Sequence, residues 1–142
     1  MPTRHATAVW EGGLKGGKGS FKGESGAISG GYSFGSRFEE AGGTNPEELL
    51  AAAEAACFSM ALSGALEKNG TPATKVETSA ACTVAPQPEG GFKITTMALT
   101  VRASVAGITD AVFQEKVQGT KSGCPVSKAL AGVDITVMAT LS

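Results

Sequence analysis

The stretch from Asn45 to Gly70 constrains the fold of this chain more than any other. Asn45 is a good helix N-cap, Pro46 suits the first helical position, and Glu48 stands three residues after the cap, where a capping-box carboxylate belongs. Leu49, Leu50, Ala53, Cys57, Met60, Ala61 and Ala65 then lead to Asn69 and Gly70, where glycine offers a left-handed stop. The signals predict a helix over Pro46 to Asn69, about 36 Å long at 1.5 Å per residue. A compact chain of 142 residues has a radius of gyration of about 14 Å. Such a helix must run through the centre, and because most of its positions are Ala, Leu, Met or Cys it should be covered on more than one side.

The flanking segments read as strands and shorter helices. His5 to Trp10, Gly17 to Glu24 and Gly30 to Phe34 alternate between glycine-rich turns. Lys75 to Val84 and Phe92 to Val105 form a predicted antiparallel hairpin across the Pro86 to Gly91 turn. Asp110 to Lys121 and Pro125 to Ala131 read as helices, the second with Cys124 at its cap position, and Val133 to Leu141 as a closing strand. Strands, helix, hairpin, helices, strand is an α+β order, expected as one domain over residues 1–142.

Composition narrows the function classes. Twelve basic side chains face 13 acidic ones, which argues against nucleic acid as a partner. No apolar run approaches the roughly 20 residues that cross a bilayer, and Met1 to Val9 lacks a basic region followed by a hydrophobic stretch. A soluble cytoplasmic protein without a membrane partner is the expectation. With 20 Gly, 22 Ala and only 6% aromatic residues, the chain has few large core anchors, and an oligomer that buries more surface would relieve this.

Three widely spaced cysteines, Cys57, Cys82 and Cys124, do not make a disulfide framework, and with His5 the only histidine and no Cys-x-x-Cys pair a zinc site is disfavoured. Cysteine chemistry in a reducing compartment remains. Cys57 in mid-helix could be a small apolar filler, and Cys124 an inert cap. Alternatively the helix N-terminus would favour a Cys124 thiolate, and the two would form a redox pair: one thiolate is oxidised, the other captures the sulfenic acid as a disulfide. That requires their Cα atoms to come within about 4.4 to 6.8 Å. Cys82 reads as a passive strand residue. Arg37, between apolar neighbours, suits an arginine beside an apolar pocket, or simply an exposed loop. Glu47 could hold it through a bidentate pair or could merely favour the first helical turn.

Three blocks bring a family into view: Arg37-Phe38 with Gly43-Thr44-Asn45-Pro46-Glu47-Glu48-Leu49, then Ala55-Ala56-Cys57-Phe58-Ser59-Met60-Ala61-Leu62-Ser63, then Gly123-Cys124-Pro125-Val126-Ser127 with Leu130. With the opening Trp10-Glu11-Gly12 they resemble the OsmC/Ohr family over nearly the full chain. The Val126-Ser127 pair is similar to the OsmC branch, whereas the hydroperoxide-resistance branch shows Tyr-Ser there. The resemblance implies an OsmC-like fold, with antiparallel sheets wrapped on a long central helix in an intertwined homodimer that has two active sites at its interface. It implies a thiol-dependent peroxidase of oxidative and osmotic stress defence, acting on organic hydroperoxides and hydrogen peroxide without metal or flavin. Cys57 matches the peroxidatic cysteine, Cys124 the resolving one, Arg37 the arginine that activates the thiolate and Glu47 the acid that orients it. An external dithiol would close the cycle. Apolar Phe58 and Met60 beside Cys57 favour an organic hydroperoxide over hydrogen peroxide.

Helix geometry adds one constraint. Glu47 and Cys57 are 10 residues apart, about 15 Å along a straight helix and about 80° apart in direction. Glu54 is the local neighbour of Cys57 instead. Either the helix breaks after its first turn, or the acid that serves a given Cys57 comes from a partner chain. Three other readings stay open: a thiol-disulfide oxidoreductase acting on proteins, a structural dimer with inert cysteines, and a small-molecule binder.

Overall fold

Alternation and glycine turns shape the first segment into β1 (Ala6–Glu11), β2 (Lys18–Gly23) and β3 (Ser29–Tyr32), each within two residues of its expected bounds. In the computed structural model, which describes residues 1–142, they form an antiparallel sheet in the order β1-β2-β3, within a first unit comprising Met1–Glu48. Gly19 pairs with Trp10 on one side and Tyr32 on the other. A Cβ at Gly19 would stand 2.6 Å from the Tyr32 ring and 2.7 Å from Trp10. Its absence lets the two rings meet over the sheet, 5.5 Å between centroids.

The first unit also holds a helix that sequence patterning does not foresee, α1 (Phe34–Phe38). Five residues are too few to display a helical period, so its signal lies wholly in the ends. Ser33 and Ser36 cap each other, Ser33 N–H donating to Ser36 Oγ at 2.8 Å and Ser36 N–H to Ser33 Oγ at 3.0 Å. Ser36 Oγ donates as well to the Thr44 carbonyl at 2.8 Å, and Asn45 Nδ2 to the Ser36 carbonyl at 3.0 Å. These bonds fold the following loop back onto α1.

The long helix, α2, spans Pro46–Lys68 without a break. Asn45 Oδ1 accepts from the Glu48 N–H at 2.7 Å, as a cap should, while the Glu48 carboxylate accepts from Thr44 Oγ1 rather than returning to the cap backbone. Gly70 takes φ +81°. Thr71 N–H then bonds the Leu66 carbonyl and Gly70 N–H the Glu67 carbonyl, both at 3.0 Å, which closes the helix in a Schellman turn. Because α2 is continuous, the first of the two ways to join Glu47 to Cys57, a break after the first turn, is closed.

The second unit, Leu49–Ser142, is built on the long hairpin β4 (Ala73–Pro86) and β5 (Phe92–Val105), followed by α3 (Asp110–Gly123), α4 (Pro125–Ala129) and β6 (Asp134–Leu141). β4 and β5 are antiparallel, whereas β6 adds to β5 in parallel because α3 and α4 carry the chain back across the sheet before it re-enters. One face of β5, Met97, Leu99, Val101 and Ala103, is buried, at the period of two that a one-sided strand requires. Against it pack Phe58, Leu62 and Leu66 of α2 and Phe113 and Val117 of α3. Cys82 pairs with Met97 and packs partly buried against this core.

One expectation about α2 needs correction. Glu54, Phe58, Leu62 and Leu66 form a buried stripe along the helix, while Ala52, Ala53, Ala56 and Met60 are exposed in the single chain, Met60 by 81%. By length and composition α2 is also long and apolar enough to cross a membrane. This corrects the expectation that no apolar run approaches that length; Glu54 interrupts the run of apolar residues without ending the helix. Its buried stripe belongs to the core of the second unit.

Candidate active site

Cys57 stands in the middle of α2, one residue before the core residue Phe58. Cys124 lies at the junction of two helices. Its N–H donates to the Thr120 carbonyl at 2.8 Å to end α3, and its carbonyl accepts from Lys128 N–H at 3.0 Å to begin α4. Pro125, which has no N–H to lose, takes the first position of α4. The Cys124 side chain makes no cap bond; it is fully buried and aimed at α2. Its Sγ lies 2.9 Å from Cys57 Sγ. Two thiols separated by 67 positions in sequence thus meet, and both are free.

Two further side chains complete the cluster. Glu54, one turn before Cys57 on α2, is fully buried. Its Oε1 accepts from Ser127 Oγ at 2.5 Å and from Cys124 Sγ at 3.9 Å, while Oε2 has no partner. Neither was singled out as functional from sequence. The available signals were small: Glu54 is the only charged residue between Glu48 and Glu67, and Ser127 lies one helical turn after Cys124.

Burial pushes the Cys57 thiol above its ordinary value, and contact with Cys124 and the nearby Glu54 carboxylate add to the effect. The Val126 N–H works in the opposite direction. None of the groups acting on Cys57 is a cation. Beside the sulfur pair lies a groove of about 580 Å³ between α2 and α3, mostly apolar at Met60, Ala61, Gly64 and Ala65 and lined also by Lys68 and Lys116. Of the two apolar neighbours expected to shape it, Met60 does; Phe58 points the other way, into the core.

The other two candidate residues meet within the first unit. Arg37, in the last turn of α1, bonds through Nε to Glu47 Oε1 at 2.9 Å. The pair is not the expected bidentate one, since Glu47 Oε2 is buried without a partner. The terminal amino groups of Arg37 are therefore not taken up by Glu47. Arg37 lies over the Phe38 ring, 5.1 Å from its centroid, and lines a cavity of about 270 Å³ with Trp10, Leu14, Tyr32, Ser33, Phe34 and Phe38. This is the arginine beside an apolar pocket that its sequence neighbours suggest. No group of three or more His, Cys, Asp or Glu side chains is arranged to hold a metal ion.

The OsmC-like protein family model matches residues 39–138, which include Glu47, Cys57 and Cys124. Over 124 residues the chain is 46% identical to Peroxiredoxin OsmC of Escherichia coli K12, covering 87% of this chain and 86% of that protein. The crystal structure of the organic hydroperoxide resistance protein OhrB of Bacillus subtilis superposes with a TM-score of 0.74 at 27% identity, covering 96% of this chain and 98% of that one. An OsmC-like protein from Mycoplasma pneumoniae shares the fold, with a TM-score of 0.75 at 17% identity, over 99% of this chain and 97% of its own.

Proposed function

The chain belongs to the OsmC-like family, and from that premise we propose that it is a thiol-dependent peroxidase that reduces organic hydroperoxides and hydrogen peroxide through Cys57 and Cys124. The observation that carries this reading is the 2.9 Å approach of the two sulfurs. In the first half-reaction Cys57 thiolate attacks the distal oxygen of the peroxide, the O–O bond breaks, and the alcohol leaves with a proton. Cys57 is then a sulfenic acid. Cys124 attacks that sulfur, the S–O bond breaks, and water leaves as the disulfide forms, which protects Cys57 from irreversible sulfinic oxidation. An external dithiol returns the pair to thiols. The reducing cytoplasm is the compartment that supplies one. The apolar groove beside Cys57 favours an alkyl or aryl hydroperoxide over hydrogen peroxide.

A thiol whose neighbours hold it in the neutral form needs a cation to react at neutral pH. Arg37 is our choice, with its terminal amino groups directed at the thiolate and the peroxide and its Nε held by Glu47. The continuity of α2 and the 10-residue offset favour delivery of this pair by a second copy of the chain. A homodimer would also cover the exposed Ala52, Ala56 and Met60 face of α2. Antioxidant defence is the role such a cycle serves.

The test is intact mass and free-thiol count after brief treatment with one equivalent of cumene hydroperoxide. Wild type is expected to lose two hydrogens and carry a Cys57 to Cys124 link, and Cys124→Ser to carry a sulfenic acid on Cys57. Three unreacted thiols in wild type would overturn the reading. Oxidation only by protein disulfides would favour a thiol-disulfide oxidoreductase instead.

A further inference from the structure

The peroxidase reading leaves one buried ionisable group without a task. Glu54 continues the core stripe of Phe58, Leu62 and Leu66, where an apolar side chain would be expected, and it is as fully buried as they are. Burying a carboxyl is costly unless its oxygens are satisfied. Here only one of them is, by Ser127 and at longer range by Cys124, and Oε2 stands without a partner. A purely structural anchor for α4 would need Ser127 alone, and a serine can be held by a neutral acceptor. An ionisable group with a spare oxygen beside a reacting sulfur has the equipment to move a proton.

The second half-reaction has need of one. Cys124 is fully buried with Glu54 Oε1 3.9 Å from its sulfur, and its thiol must lose a proton because the thiolate is the attacking species. Resting on the two-cysteine reading above, we propose that Glu54 is the proton carrier of the resolving step. Its carboxylate takes the proton from Cys124 Sγ as that sulfur attacks Cys57 Sγ. The S–S bond forms, the S–O bond breaks with its electron pair going to oxygen, and the departing hydroxide takes the proton from Glu54 and leaves as water. Glu54 ends as the carboxylate it began as, and no other reactant is required. Ser127 is a positioning residue, fixing Oε1 between the two helices.

The same carboxylate acts on Cys57 with the opposite consequence. Its negative charge helps hold the Cys57 thiol above its ordinary value, which slows the first oxidation. Removing the charge therefore changes the two half-reactions in opposite directions, a signature that loss of packing does not produce.

The experiment is single-turnover oxidation of the full-length protein by cumene hydroperoxide, with Cys57 sulfenic acid trapped by dimedone and the Cys57 to Cys124 disulfide followed by mass, in wild type, Glu54→Gln and Glu54→Asp. In Glu54→Gln, Cys57 oxidation is expected to be faster than in wild type and disulfide formation slower by on the order of 100-fold, so that dimedone adduct accumulates. Glu54→Asp, which keeps a carboxylate at greater reach, is expected to recover part of the resolving rate. Disulfide formation in Glu54→Gln at the wild-type rate would overturn the proposal. So would loss of both half-reactions in both variants, because a carrier confined to resolution leaves the first oxidation intact. Failure of wild type itself to form the disulfide would mark the two-cysteine reading, and not Glu54 alone, as wrong.

Discussion

The immediate surroundings of Cys57 favour its neutral thiol over the thiolate that attacks peroxide. Burial, Cys124 and Glu54 all favour its neutral thiol, and only the Val126 N–H favours the anion. Raised in this way, the thiol ionises at a higher pH than a free cysteine, so attack on peroxide strengthens toward alkaline pH unless a cation intervenes. If Arg37 is that cation, Arg37→Ala should move the rise of the oxidation rate to higher pH and slow attack at pH 7 by about tenfold or more. Stopped-flow oxidation across pH 6 to 10 on the order of one unit per step would read this; an unchanged profile removes Arg37 from the mechanism. Cys82→Ser should leave the rate as it is, since Cys82 packs against the core of the second unit rather than in the sulfur cluster. The sequence brought Cys57, Cys124, Arg37 and Glu47 forward as candidates through the family resemblance of the blocks they stand in, since each taken alone had an ordinary structural reading. Glu54 and Ser127 were not brought forward, because a lone acid in a helix and a serine after a proline become informative only when the chain brings 73 positions of separation down to one hydrogen bond.

At the scale of elements, what could be read ahead and what could not divides by where the determining forces lie. α2 is specified by its own ends, Asn45 and Pro46 at one and Gly70 at the other, and those residues act within a turn of where they stand. Gly70→Ala should accordingly cost about 1 kcal/mol, the price of a Cβ in the left-handed region. Asn45→Ala should cost a similar amount, about 1 kcal/mol through loss of the cap. Denaturant unfolding of each variant would measure both, and a cost near zero would mean that the ends of α2 are held by other contacts. The β4–β5 hairpin was equally local, set by alternation and the Pro86 to Gly91 turn. α1 depends on bonds that close around Thr44 and Asn45, eight and nine residues from Ser36, which no window of helical period samples. The parallel pairing of β6 with β5 depends on how α3 and α4 cross the sheet, a property of the whole second unit.

At the scale of the whole molecule, the residues proposed for the peroxidase chemistry fall into two groups. Arg37 and Glu47 pair in the first unit, and Cys57, Cys124, Glu54 and Ser127 cluster in the second. The exposed face of α2 at Ala52, Ala56 and Met60 gives a second copy something to bury. If two copies each lend their Arg37–Glu47 pair to the other's sulfur cluster, one slowed and one inactive variant should repair one another. Arg37→Ala keeps its cysteines and lacks the cation; Cys57→Ser keeps the cation and lacks the nucleophile. A mixed dimer of the two would contain one complete site, built from the Cys57 of the first chain and the Arg37 of the second, and one site lacking both. Random reassortment makes half of the dimers mixed, so about a quarter of the wild-type sites should reappear. Delivery of Arg37 within its own chain predicts no recovery, because then neither chain carries a complete set. Peroxidase turnover after the two purified variants are unfolded together and refolded, compared with each refolded alone, distinguishes the arrangements, and only shared sites account for activity in the mixture above that of both components.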